Sequence, residues 1–74
     1  MRHFQHSRLL NEDSLKTLLE PRNDDLLKEE TKDGKTFSLR EGPFDFYERT
    51  VEISAGDSGL HVTETFTYQI AASI

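Results

Sequence analysis

The sequence predicts an α+β domain, with a short N-terminal helix packed on a three- to four-stranded antiparallel meander. Three observations predict it. The first 37 residues are Leu-rich with seven Lys or Arg and eight Asp or Glu, whereas the remainder is rich in Phe, Tyr, Thr, Val and Ile. That is a shift from helix-forming to strand-forming composition. Asp33-Gly34 sits between two extended segments, a strong short-range hairpin signal. Leu60 to Ile70 alternates apolar and polar residues with period two, the pattern of a strand with one face on a core and one in water.

Taken in order, the 74 residues read as one small domain. Residues 1–11 stay outside the predicted sheet as a fraying terminus, although Phe4 among polar neighbours would also suit a strand over Arg2–Leu10. Asn11 is a good N-cap, and Glu12 and Asp13 suit the positive end of a helix dipole. Leu15, Leu18 and Leu19 share one face, and Pro21 stops the element, so a helix is expected over 12–20. Arg22 to Asp25 is a loop. Strands are expected over 27–32 and 35–41, joined by a type I′ turn at Asp33-Gly34. Gly42-Pro43 breaks the chain before a third strand over 44–53. On that strand Tyr47, Val51 and Ile53 share a face with Arg49, and Phe44 and Phe46 take the other. Ser54 to Gly59 reads as a turn-rich loop before the last strand, 60–70. The antiparallel sheet therefore occupies 27–70. One short helix is a small cover for its apolar stripe, which invites a partner.

Composition excludes several classes. The chain is 34% hydrophobic and 31% charged, with a net charge of −5 and no Cys. An acidic balance lacks the clustered positive charge that nucleic acid requires, so no nucleic-acid partner is expected. No segment approaches the roughly 20 apolar residues of a membrane helix, so no membrane insertion is expected. The apolar stretch of the N-terminus, Leu9-Leu10, is too short for a secretory signal, and a cytoplasmic location is expected. A chain of this size without disulfides has little core to spend on stability, and oligomerisation is the usual remedy. A homo-oligomer is expected.

The C-terminal half carries a family resemblance. Gly42-Pro43-Phe44, the strand residues Phe46-Tyr47-Glu48-Arg49, the turn Gly56-Asp57-Ser58-Gly59 and the returning strand Leu-His-Val-Thr-Glu-Thr-Phe-Thr-Tyr over 60–68 resemble the late hairpin of START-like, Bet v 1-like proteins. These form the polyketide cyclase/dehydrase (SRPBCC) superfamily, and the resemblance spans residues 35–70. It implies a truncated or minimal form, because the family wraps a curved sheet round a long C-terminal helix in a considerably longer chain. It further implies an apolar ligand such as a lipid or polyketide, with Tyr47, Phe66 and Tyr68 as cavity lining. The family shares no single catalytic motif, so no catalytic residue carries over.

Other residues are weaker candidates. His3 and His6 are close in sequence, but no His-Glu-x-x-His pattern accompanies them. They read as exposed residues of the terminus, and no metal or cofactor is expected. Glu64 interrupts the apolar face of its strand as Arg49 interrupts its own. A buried carboxylate there would suit acid–base chemistry, but an Arg49–Glu64 ion pair across neighbouring strands explains both exceptions together. Asp24-Asp25, Glu29-Glu30 and Asp57 lack calcium-loop spacing and read as solvated surface. No G-x-S-x-G surrounds any Ser, and Gly56-x-x-Gly59 is too short and acidic for a phosphate loop. Phe44, Phe46 and Tyr47 read as core in preference to a binding patch.

No nucleophile, base and orienting group can be assembled from sequence alone. The expected function is non-enzymatic binding of a hydrophobic small molecule or lipid by the apolar sheet face. The alternative is a protein–protein interaction or oligomerisation module with no small-molecule ligand.

Overall fold

In a computed structural model, residues 1–57 and 59–70 are described. The elements are β1 (Arg2–Leu10), α1 (Glu12–Leu18), β2 (Lys28–Thr31), β3 (Thr36–Glu41), β4 (Phe44–Gly56) and β5 (Gly59–Ile70). All five strands form one antiparallel sheet in the order β1-β5-β4-β3-β2. With 65% of the described residues in strand and 10% in helix, the fold is dominated by sheet. The α+β class with three to four strands is therefore overturned, although the antiparallel sheet itself is present.

The additional strand is β1, in the segment read as fraying. It pairs with β5 without interruption from Arg2↔Tyr68 to Leu10↔Leu60. Its core-facing positions are Arg2, Phe4, His6, Arg8 and Leu10, of which only two are apolar, so period-two hydrophobicity is nearly silent. The stabilising contacts lie partly on the opposite face. There His3 Nδ1 and Thr67 Oγ1 are 3.1 Å apart, Gln5 Nε2 donates to Thr65 Oγ1 at 3.0 Å, and Ser7 Oγ and Thr63 Oγ1 are 2.7 Å apart. Such cross-strand pairs contribute roughly 0.2–1 kcal/mol each.

Because β1 and β2 are opposite edges, residues 11–27 must cross one face of the sheet. The helix makes that crossing. Asn11 caps it, its side chain accepting from Ser14 N at 2.8 Å. Leu15, Leu18 and Leu19 pack, with Leu10, Ile53 and Leu60, against the buried cluster Phe37, Val51 and Val62. The regular helix ends at Leu18, two residues earlier than expected, with Leu19 as C-cap.

Two turns differ from expectation. The β4–β5 hairpin is tighter and longer, since pairing continues to Gly56↔Gly59, so β4 takes in residues 54–56 of the supposed loop. At the β2–β3 hairpin only Gly34 has positive φ, +86°. Asp33 therefore does not adopt the type I′ conformation; its Oδ1 accepts from Lys35 N at 3.3 Å instead. Gly34→Ala should cost about 1 kcal/mol, the usual scale of left-handed strain in a residue with a Cβ. The expected reading is a lower urea midpoint with unchanged slope, and a smaller loss for Gly34→Asn. Equal losses for Ala and Asn would show that the strain is not the cause.

Candidate functional site

Beneath the helix C-terminus lies a buried charge cluster. Arg49, 2% exposed, is central to it. Its Nε donates to Glu29 Oε2 at 3.0 Å, and Nη2 donates to Glu29 Oε1 at 2.8 Å and to the Glu20 carbonyl at 3.2 Å. Its Nη1 donates to the Leu18 carbonyl at 2.8 Å and to Glu64 Oε2 at 3.2 Å. A guanidinium has five N–H donors, and all five are used. The guanidinium also sits 4.1 Å above the centre of the Phe37 ring.

Glu29, 5% exposed, is equally satisfied. It accepts from Arg49 twice, from the Tyr47 hydroxyl, and from Arg22 N at 2.8 Å. Burial alone would raise its pKa; the hydrogen bonds from Arg49, Tyr47 and the Arg22 N–H outweigh that and hold it below the usual carboxylate range. Burial and the Glu29 carboxylate push the Tyr47 phenol well above its ordinary value. Burial opposes the charge on Arg49, and its pairing with Glu29 and Glu64 more than restores it. The surface reading of Glu29-Glu30 thus fails for Glu29. The Arg49–Glu64 contact is present, but it runs diagonally, because Arg49 is in register with Phe66 and Val51 with Glu64. With every Arg49 donor spent, this cluster joins helix to sheet.

The available site is next to it, where the helix no longer covers the sheet. Tyr47, Phe66 and Tyr68 come together there with Phe4, His6 and Phe44 round a groove of about 360 Å³, whose remaining lining is Arg22 and Leu27. Ring centroids are 5.5 Å apart for Phe44–Tyr47, 5.6 Å for Phe44–Tyr68, 6.5 Å for Tyr47–Phe66 and 6.1 Å for Phe4–Phe66. The placement of Phe44 corrects the expectation that it faces away from Tyr47. A bulge between Phe44 and Phe46, where two β4 steps oppose one on β5 (Ile70 to Gln69), shifts the register. One extra residue reverses the facing of everything beyond it.

The Arg22–Leu27 loop closes one side of the groove. Asp24 Oδ1 accepts from Leu26 N at 3.0 Å and Leu27 N at 2.8 Å. These backbone bonds lower the Asp24 pKa and turn the chain so that Leu27 is buried.

On the β1 side stands His6. Its ring lies 17° from parallel to Phe66 with centroids 6.1 Å apart, and its Nε2 is 3.0 Å from Glu64 Oε1. Arg8 Nη2 approaches the same oxygen at 3.5 Å. His3 is on the opposite face, so the two histidines do not converge. Sequence reasoning missed Phe4 and His6 because β1 was outside the predicted sheet. The alternation Phe4-x-His6-x-Arg8 against Phe66-x-Glu64-x-Val62 was the available signal. Among the described residues, no cluster of three metal-ligating side chains occurs and no helix is long and apolar enough to cross a membrane.

Arg49→Lys removes the fork that satisfies two carboxylates and two carbonyls. A loss of about 3–5 kcal/mol is expected, enough to unfold a domain of this size as read by circular dichroism. Glu29→Gln should be milder and should change the acid limb. A carboxylate whose folded pKa lies below its unfolded value of about 4.3 contributes stability that is complete above that value. The contribution is lost as pH falls through the folded pKa. Urea midpoints from neutral pH downward should therefore fall less steeply in Glu29→Gln than in the parent; parallel curves would show that Glu29 carries no such linkage.

Compared with family models, curated proteins and solved structures, the chain matches none, and its functional reading rests on the groove itself.

Proposed function

We propose that the protein binds a hydrophobic small molecule or lipid in the aromatic groove, in keeping with the START-like resemblance of residues 35–70. The observation that carries this reading is the cluster of five aromatic side chains, Phe4, Phe44, Tyr47, Phe66 and Tyr68, round one open groove. Phe4 is 55% exposed although it faces the core side of the sheet. The groove volume of about 360 Å³ is at the small end of the roughly 300–1,000 Å³ typical of ligand sites, and such sites are characteristically apolar with a few polar groups. Here the charged or ionisable groups among the lining are His6 and Arg22, beside the two tyrosines.

A second reading has its own observation. Among the described residues only one side of β1 is paired, so its nine residues present an open sheet edge with Phe4 and Leu9 about half exposed. Open edges are templates for another strand, and a homo-oligomer joined through β1 is the corresponding proposal.

Binding of 1-anilinonaphthalene-8-sulfonate, followed by fluorescence, tests the first reading. Phe4→Ser and Tyr68→Ser should each weaken it about tenfold, since burial of an aromatic ring is worth about 1.5–3 kcal/mol. Absence of binding by the parent, or unchanged affinity in both variants, would remove the groove from consideration. Light scattering with melts at several protein concentrations tests the second. A dimer whose melting temperature rises with concentration supports it, and a monomer throughout rejects it.

A further inference from the structure

His6 and Glu64 form a pair that neither the sheet nor ligand binding requires. Glu64 is 5% exposed, and both of its oxygens are engaged. Arg49 Nη1 holds Oε2 at 3.2 Å, and His6 Nε2 lies 3.0 Å from Oε1. A neutral imidazole has one N–H and one lone pair. A carboxylate facing Nε2 selects the tautomer with the proton there, which leaves the lone pair on Nδ1. The ring lines the aromatic groove beside Phe4 and Phe66. A base, a group that orients it and an apolar site for the reacting atom are the parts of a proton-transfer centre.

We propose that His6 is a general base, positioned by Glu64, that removes a proton from an activated carbon of an apolar substrate bound in the groove. The substrate class is a carbon acid, such as an apolar ketone with an α-hydrogen. The C–H bond breaks, the proton goes to Nδ1, and the electron pair moves into the carbonyl to give an enolate. The imidazolium is stabilised by Glu64, and Arg22, which lines the same groove with its Nη2 paired to Asp24 Oδ2 at 3.1 Å, is the cation on the side of the enolate oxygen. In a β,γ-unsaturated ketone the enolate is a dienolate, and return of the proton to its γ-carbon gives the conjugated isomer, with no oxidant, reductant or co-reactant consumed. The charged groups round the imidazole are Glu64 from β5, Arg8 from β1, Arg49 from β4 and Arg22 from the segment after the helix.

This proposal rests on the groove as a binding site, and the test separates the two. The probe is 5-nitrobenzisoxazole, an apolar carbon acid. Transfer of its C3 proton to a base breaks the N–O bond and releases a coloured 2-cyano-4-nitrophenolate. The parent should accelerate the reaction over buffer, with a rate that rises with pH and levels once His6 is neutral. His6→Gln, a change at a partly exposed position, should lose about 100-fold of kcat, the lower end of what general-base catalysis supplies, a far larger effect than the change in dye affinity that follows from altering one lining residue. Long-range ¹H–¹⁵N spectra of the parent should show His6 protonated at Nε2. Glu64→Gln, if folded, should lower kcat and alter the pH profile with KM little changed. If Glu64→Gln does not fold, the tautomer measurement stands in its place. Dye binding with no His6-dependent rate, or an Nδ1-protonated ring, would overturn the base and leave the binding site standing. Failure of the parent to bind dye would overturn both.

Discussion

The structure depends on Arg49. A seven-residue helix is far below the roughly 12–15 residues at which helices become marginally stable alone in water. Here α1 is held at both ends by groups outside its regular turns. Asn11 satisfies an N-terminal amide. At the other end Arg49 reaches up from the sheet to the carbonyls of Leu18 and Glu20, groups that a helix terminus leaves without intrahelical partners. A cation there also meets the negative end of the helix dipole. A buried ion pair is weak evidence for net stability, since desolvation offsets much of the attraction. What Arg49 supplies is position. Five donors in a planar fork can be satisfied by one arrangement of β2, β5 and the helix end, so the helix docks in one place.

That docking place divides the sheet face in two. The leucines of α1 cover Phe37, Val51 and Val62 at the end near Leu10 and Leu60. The helix ends before it reaches Phe66, Tyr68 and Phe4, and the chain turns away at Pro21 into the loop tied down by Asp24. Apolar surface that a longer helix would bury is thereby left as a groove. The bulge in β4 adds to it, because without the register shift Phe44 would face the Thr-rich side of the sheet. The groove is a consequence of helix length, one bulge and one loop, and each of these can be named by residue.

How much of this was legible in the sequence follows from what each residue signals by itself. The four strands from Lys28 to Ile70 were readable because glycine, proline and period-two alternation punctuate them. The end-capped helix was readable because Asn11 and the leucine spacing are local facts. β1 was signalled only by Phe4 among polar neighbours, because His6 and Arg8 stand where apolar residues would mark a strand. They stand there because their partner on β5 is Glu64, a fact only pairing reveals. Glu29 was hidden for the same reason. A carboxylate beside another carboxylate looks like solvent-facing surface until Arg49 is brought to it from twenty residues away. Tyr47, Phe66 and Tyr68 were found from the strand pattern, whereas Phe44 was misplaced because a bulge leaves no composition signal at Asp45.

Glu64 connects the two halves of the face. One oxygen belongs to the Arg49 cluster that fixes the helix, and the other faces His6 in the groove. A carboxylate serving only as a counter-ion needs no second partner, and Arg49 already has Glu29 in bidentate contact. Carboxylates that orient imidazoles act by geometry, and geometry requires that the carboxylate itself be immobile. Arg49 provides that immobility through a side chain that is itself locked at every donor. The order of dependence therefore runs from helix end to Arg49, from Arg49 to Glu64, and from Glu64 to His6. The element that leaves the groove open also sets the direction of the imidazole that lines it.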